Sequence, residues 1–193
     1  MSTLAPEERR RLLHIARDAI RAAVQGRPLP AVDAASLPDP LRRPAASFVT
    51  LRRDGELRGC IGGLEARWPL YEDVQRHAVQ AATQDYRFEP VALDEMPMLE
   101  VEVSVLTEPQ PLPYETPDEL LTRLRPCVDG VTLALGHRRA TFLPQVWERV
   151  PDPAQFLSML CEKMGLPPDT WRRTKLDVSV YQVEKFTEPE LKE

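Results

Sequence analysis

Arg58 and Cys60 stand two residues apart in the run Leu57-Arg58-Gly59-Cys60-Ile61-Gly62, with a glycine between them and another just beyond. A thiol beside a guanidinium is a combination that can do chemistry. The cation favours the thiolate, which is the nucleophilic and metal-binding form of cysteine. If Leu57 to Ile61 is a strand, period-two alternation puts Arg58 and Cys60 on one face. Gly59 and Gly62 let a backbone or a ligand come close to the thiol. The plainer alternative is a small buried cysteine, the usual place for a free thiol, with Arg58 and Gly59 shaping a turn. Arg87 is a second guanidinium suited to a carboxylate or phosphate, and for both arginines a structural ion pair, with Glu102 or Asp85 for instance, competes with ligand binding. His77, between Val74 and Ala81 on a helical segment, could serve as a general base to a cysteine, or be an ordinary surface or core histidine. Glu102 with Ser104 could supply a base or simply form the solvated face of a strand. The Gln145 amide could line a site or end a hairpin. His14 and His137 read as surface residues.

Metal chemistry is poorly served by this sequence. The three cysteines, Cys60, Cys127 and Cys161, are scattered, without a Cys-x-x-Cys pair or a histidine at ligand spacing. No metal site is expected, and no phosphate loop or other cofactor signature stands out.

Around these residues the punctuation sets out the elements. Pro6 to Val24 carries Leu12, Ala16, Ala19, Ile20 and Ala23 near helical spacing. From Arg27 to Pro44 five prolines predict an extended loop. Ser47–Leu51 and the Leu57–Ile61 segment flank Asp54-Gly55, a hairpin signal. Pro69, at the first helical position, opens a helix from Leu70 to Gln84. Met98 to Leu106 alternates, placing Leu99, Val101, Val103 and Val105 on one face and Glu102 and Ser104 on the other. Thr116-Pro117-Asp118-Glu119 predicts a capped short helix. Val131–Leu135 and Arg139–Leu143 predict a second hairpin, Asp152-Pro153 a helix to Met164, and Leu176–Phe186 one last strand. Helices and hairpins are intermixed without a βαβ run, which predicts an α+β fold with mainly antiparallel sheets and packed helices.

The chain has 193 residues, 42% of them hydrophobic, enough for a core in one large domain or two small lobes. The net charge of −5 argues against a nucleic-acid binder. No apolar run approaches a membrane span and the N-terminus lacks a secretory core, so the expected address is the cytoplasm.

Several segments together resemble the AMMECR1 domain family. Leu57–Gly62 is similar to its LRGCIG signature. Asp85-Tyr86-Arg87-Phe88-Glu89-Pro90 resembles its Asp-Pro-Arg-Phe-x-Pro, with Tyr86 in place of the proline. Leu99–Leu106 resembles its glutamate-bearing strand, Phe142–Val146 its LLPQV segment, and Phe156 to Leu166 its cysteine-bearing helix. The resemblance spans about residues 8 to 187, leaving 1–7 and 188–193 as expected tails. It implies two lobes with a cleft between them as the natural place for a site. It also implies a setting beside a Memo-like protein and a radical-SAM enzyme, the AmmeMemoRadiSam system, without implying a reaction. Two functions follow as expectations. One is a pocket at Leu57–Gly62 that binds or processes a small anionic metabolite, with Cys60 as nucleophile and Arg58, Gly59, Arg87 and Gln145 around the ligand. The other is a non-catalytic adaptor that docks a Memo-like or radical-SAM partner.

Overall fold

In the computed structural model, whose described residues are 4–188, Asp54 and Gly55 both take positive φ, 54° and 81°. That is the backbone a two-residue hairpin turn requires, and it joins β1 (Ala46–Arg53) to β2 (Glu56–Gly62). β1 also pairs antiparallel with β3 (Leu99–Leu106). The first sheet has the order β2-β1-β3-β8, where β8 is Val183–Thr187. The second has the order β4-β7-β5-β6, made of Gln110–Pro111, Asp177–Tyr181, Gly130–Leu135 and Arg138–Phe142 respectively. The fold is α+β with two antiparallel sheets and several helices, as the intermixed pattern predicts.

The chain divides into two compact units: residues 1–106 with 184–193, and residues 107–183. In the first, α1 (Pro6–Val24) and α3 (Leu70–Thr83) supply Leu12, Ala16, Ala19 and Ile20, and Val74, Ala78 and Ala81. These pack with Val49, Leu51, Val101 and Val103 of the sheet. The alanines let helix backbones approach closely, and the alternating valines turn one face of β3 to this core. In the second, α4 (Pro117–Arg123) begins under Thr116, whose hydroxyl accepts the Glu119 N–H at 3.2 Å. α5 (Pro153–Lys163) is capped by Asp152, and Gly165 follows with φ 74°. The Trp147 ring stacks on Phe156 with centroids 3.7 Å apart, at the centre of a core with Leu133, Leu157, Leu160 and Trp171. The short α6 is Thr170–Arg173.

Three expectations are corrected. The proline-rich stretch after α1 is not wholly extended: it holds a 3-10 turn at Ala34–Ser36 and the short α2, Asp39–Arg42. Pro69 is the cap of α3 rather than its first residue. The last strand is two strands in two sheets, broken at Gln182, whose N–H donates to Thr107 Oγ1 and whose carbonyl accepts the Thr107 N–H, each at 2.9 Å. The stretches read as tails are also partly built in: Leu4 is buried, and Glu188 bonds Arg17. The rest of those tails, residues 1–3 and 189–193, lies outside the described residues. No helix among the described residues is long and apolar enough to cross a membrane.

Candidate functional site

β2 is an edge strand, and the register between it and β1 slips beside Arg58. Leu51 pairs with Gly59, and Arg52 with Leu57. Arg58 is the extra residue of a bulge, which breaks the alternation expected to align it with Cys60. The guanidinium of Arg58 grips Glu95, in the 3-10 segment Leu93–Met98, by two bonds of 2.9 Å. Its Nη1 donates to the Glu89 carbonyl at 2.9 Å. Arg53 donates to the same Glu95 at 2.9 Å, and Glu95 in turn accepts the Ala92 N–H at 2.8 Å. The Arg58 bonds, then the Ala92 N–H, lower the Glu95 carboxyl to about 2. The partner of Arg58 is therefore Glu95, not Glu102 or Asp85.

Cys60 meets the segment after α3 through its backbone. Its N–H donates to Asp85 Oδ2 at 2.8 Å, and its carbonyl accepts from Arg87 Nη2 at 3.2 Å. Arg87 and Asp85 are themselves joined by two bonds, Nε to Oδ1 at 2.9 Å and Nη2 to Oδ2 at 2.7 Å. The carboxylate of Asp85 is only 4% exposed, and the Arg87 bonds hold its carboxyl well below the ordinary carboxylate range. A sheet edge exposes unpaired backbone groups, and this pair covers one such N–H and C=O. The turn that carries the pair closes with the Phe88 N–H on the Asp85 carbonyl at 3.0 Å, placing Tyr86 at its second position. Proline suits that position, so the departure at Tyr86 leaves the turn intact and Arg87 firmly posed.

The glycines of the motif serve packing. A Cβ on Gly59 would collide with the carbonyl oxygen of Ala81, near the end of α3, and one on Gly62 with the Phe48 ring and the Ser47 carbonyl. The Cys60 side chain turns to the other face of the sheet, where it accepts the Thr50 hydroxyl at 3.2 Å. Thr50 pairs across to Glu102, whose carboxylate lies 3.3 Å from Lys185 Nζ and 3.9 Å from Arg52 Nε. Cys60, Thr50 and Glu102 thus form one polar row across three strands.

His77 belongs to a different cluster. Its Nδ1 lies 3.1 Å from Asp73 Oδ2, which also accepts the N–H and the hydroxyl of Ser47 at 2.9 and 2.6 Å. Gln145 is exposed in the 3-10 segment Pro144–Glu148 of the second unit, while Arg58, Cys60, His77, Arg87 and Glu102 all lie in the first. Sequence reasoning missed Glu95 as the carboxylate under Arg58, and missed Asp73 and Ser47. The i,i+4 spacing of Asp73 and His77 was the available signal for the last pair. Among the described residues no group of three His, Cys, Asp or Glu side chains is arranged to hold a metal ion.

Comparison with known proteins gives one family. The AMMECR1 family model matches residues 13–186. A protein of Methanothermobacter thermautotrophicus is 41% identical over 187 residues, covering 96% of each chain. A protein of Thermofilum pendens is 37% identical, covering 97% of this chain and 93% of its own. The crystal structure of the uncharacterised protein PH0010 from Pyrococcus horikoshii superposes with a TM-score of 0.76 at 35% identity, over 94% of this chain and 92% of the other. The order of the matched segments and the shared fold agree: the chain belongs to the AMMECR1 family.

Proposed function

We propose that this protein is a docking module, and that the surface presented by the motif segment and the Asp85–Pro90 turn receives a partner protein of the Memo-like or radical-SAM type. The observation that carries the reading is Tyr86, which stands 95% exposed at the tip of a turn whose other polar groups are tied down. Phe88 follows it, with the guanidinium carbons of Arg87 and Arg58 at 5.5 and 6.0 Å from its ring centre. Leu57 and Leu93, adjacent in sequence to the same structures, are also exposed. Rigid aromatic and arginine side chains are the usual anchors of protein interfaces, because they offer contact area at low entropic cost. The other reading, capture of a small anion between Arg58 and Arg87, requires displacing a carboxylate, since Glu95 and Asp85 already fill both guanidinium forks.

The test is a binding titration against a purified Memo-like protein and a purified radical-SAM protein, with Tyr86→Ala as the variant. Tyr86 has little to lose in the fold, so the variant should keep its melting temperature and bind at least about tenfold more weakly, which corresponds to about 1.4 kcal/mol. Equal affinity of Tyr86→Ala, or no binding by the native chain to either partner, rejects the docking surface.

A further inference from the structure

Just past the motif, Gly63, Leu64, Glu65, Arg67 and Trp68 border a pocket of about 380 Å³, beside the start of α3. That volume suits a small molecule. One wall is His77. Its Nδ1 edge is bound to Asp73, a carboxylate only 2% exposed, while Nε2 makes no hydrogen bond among the described residues. A buried carboxylate facing Nδ1 places the ring proton there and leaves the Nε2 lone pair as the acceptor of the neutral imidazole. Gly63 keeps that edge uncovered: a Cβ there would sit 3.6 Å from Cε1 and 3.8 Å from Nε2 of His77.

The other walls limit what can enter. Trp68 borders the pocket and is 42% exposed, an unusual state for the largest apolar residue. It is held in place by the Arg76 guanidinium, 4.4 Å from the ring centre, which is itself fixed by Glu72 at 2.6 Å. Arg67 brings a guanidinium to the same pocket, paired with Glu65 at 2.6 Å. The loop's far end is anchored by Trp68 O to the Ala45 N–H at 3.3 Å and by a bridge between Pro44 and Pro69. An oriented base on α3 and an aromatic wall on a fastened loop therefore face one space, with the Arg67–Glu65 ion pair at its border.

We infer that this pocket is a ligand site for a small planar molecule bearing an acidic hydroxyl, a phenol-like compound, with His77 Nε2 as the proton acceptor and Trp68 as the wall its ring packs against. The hydroxyl hydrogen-bonds to Nε2. When the proton crosses, the ligand becomes the phenolate and His77 the imidazolium, held by Asp73 on its other nitrogen. No bond other than O–H is broken and no co-reactant is consumed. The site does not depend on the docking surface at Tyr86, and either can fail without the other.

The probe is 4-nitrophenol, whose ionised form is coloured. It is titrated into the native protein, following the ring-nitrogen NMR signals of His77 and the nitrophenolate absorbance. Saturable movement of the His77 Nε2 signal is expected. His77→Asn keeps an N–H in the place of Nδ1, so it should retain the contact with Asp73 and the melting temperature, yet bind the probe at least tenfold more weakly. Trp68→Leu should weaken binding likewise. Tyr86→Ala should leave it unchanged. Absence of a saturable His77 response, or native affinity in His77→Asn, overturns the proposal and leaves Asp73 and His77 as a tether between α3 and β1.

Discussion

Two polar clusters lie in the first unit, a few residues apart in sequence, and they differ in what is left over. Around Cys60, Asp85 answers Arg87 and a backbone N–H, Glu95 answers Arg58, Arg53 and another N–H, and the glycines touch the structures that need them to be small. Beside Gly63, Asp73 answers Ser47 and one nitrogen of His77, and the second nitrogen faces open space with room beside it. The first cluster uses its charges to hold the fold. The second uses a buried carboxylate to fix one edge of an imidazole whose other edge borders a pocket. The best-marked motif of a sequence is therefore not by that mark its chemical centre. Asp85, Gly59 and Arg58 each have a structural role that accounts for their residue type.

The largest expected effect comes from Asp85→Ala. It strips the partner from Arg87 and leaves the half-buried Cys60 N–H unanswered, so unfolding by urea should show a loss of about 3 kcal/mol. Arg87 is 43% exposed, so water recovers part of its charge and the effect should fall short of a fully buried pair. A loss below about 1 kcal/mol would mean that the clamp on β2 is decorative. Removing the hydroxyl of Ser47, the corresponding partner in the second cluster, should cost less, because Asp73 keeps the Ser47 N–H and His77.

A glycine pair sharpens the contrast. Gly59→Ala must push the Ala81 carbonyl away, which is backbone and cannot swing aside, at a cost of about 2 kcal/mol. Gly63→Ala meets only ordinary contact with the His77 ring, and its stability should change by less than about 0.5 kcal/mol. Thermal or urea unfolding of the two variants side by side decides this. Equal costs would remove the distinction between a packed motif and an open pocket.

Acid should weaken the first cluster. Both Asp85 and Glu95 have folded-state carboxyls lowered by arginine hydrogen bonds, Glu95 to about 2. A lowered folded value means the stabilisation is fully present above the unfolded value, near 4 for a carboxyl, and is lost as pH falls through the folded one. Stability should therefore decline from about pH 5 towards pH 2. Asp85→Asn should be less stable at neutral pH and show a shallower decline. An unchanged slope in that variant would show that other carboxylates govern acid unfolding.

Much of this fold was legible because local chemistry and tertiary context agree. Asp54-Gly55 can hardly be anything but a hairpin turn, Asp152-Pro153 starts a helix, and the valines of β3 alternate into the core. The strand from Leu176 reads as continuous in sequence, because its break depends on Thr107, far away in the chain. The site was less legible for a similar reason. Alternation alone aligns Arg58 with Cys60, but a bulge is an event between two strands, and the carboxylate that takes Arg58 comes from a segment whose folded position no spacing rule gives. His77 and Asp73 sit one helical turn apart, so their contact was within reach of the sequence. The emptiness beside Nε2 was not, since it comes from Gly63 of another element.

Cysteine labelling gives the smallest perturbation and the most direct reading of the motif. Cys127 is exposed, Cys60 half-buried and Cys161 buried, and burial pushes the Cys161 thiol up from its ordinary range. Treated with iodoacetamide near neutral pH, Cys127 should label first and Cys161 only on unfolding, as read by peptide mass spectrometry. Cys60 decides between the two accounts of its segment. Its thiol is covered on one side by the Thr50 hydroxyl, and the guanidinium groups of the two motif segments, Arg58 and Arg87, are paired with carboxylates. A thiolate gains most from a cation whose charge is not already neutralised. Cys60 should therefore label more slowly than Cys127, with stability unchanged in Cys60→Ser to within about 1 kcal/mol. Labelling faster than Cys127 would require a cation acting on the sulphur across those filled forks, and would return the motif to the role of a reactive centre.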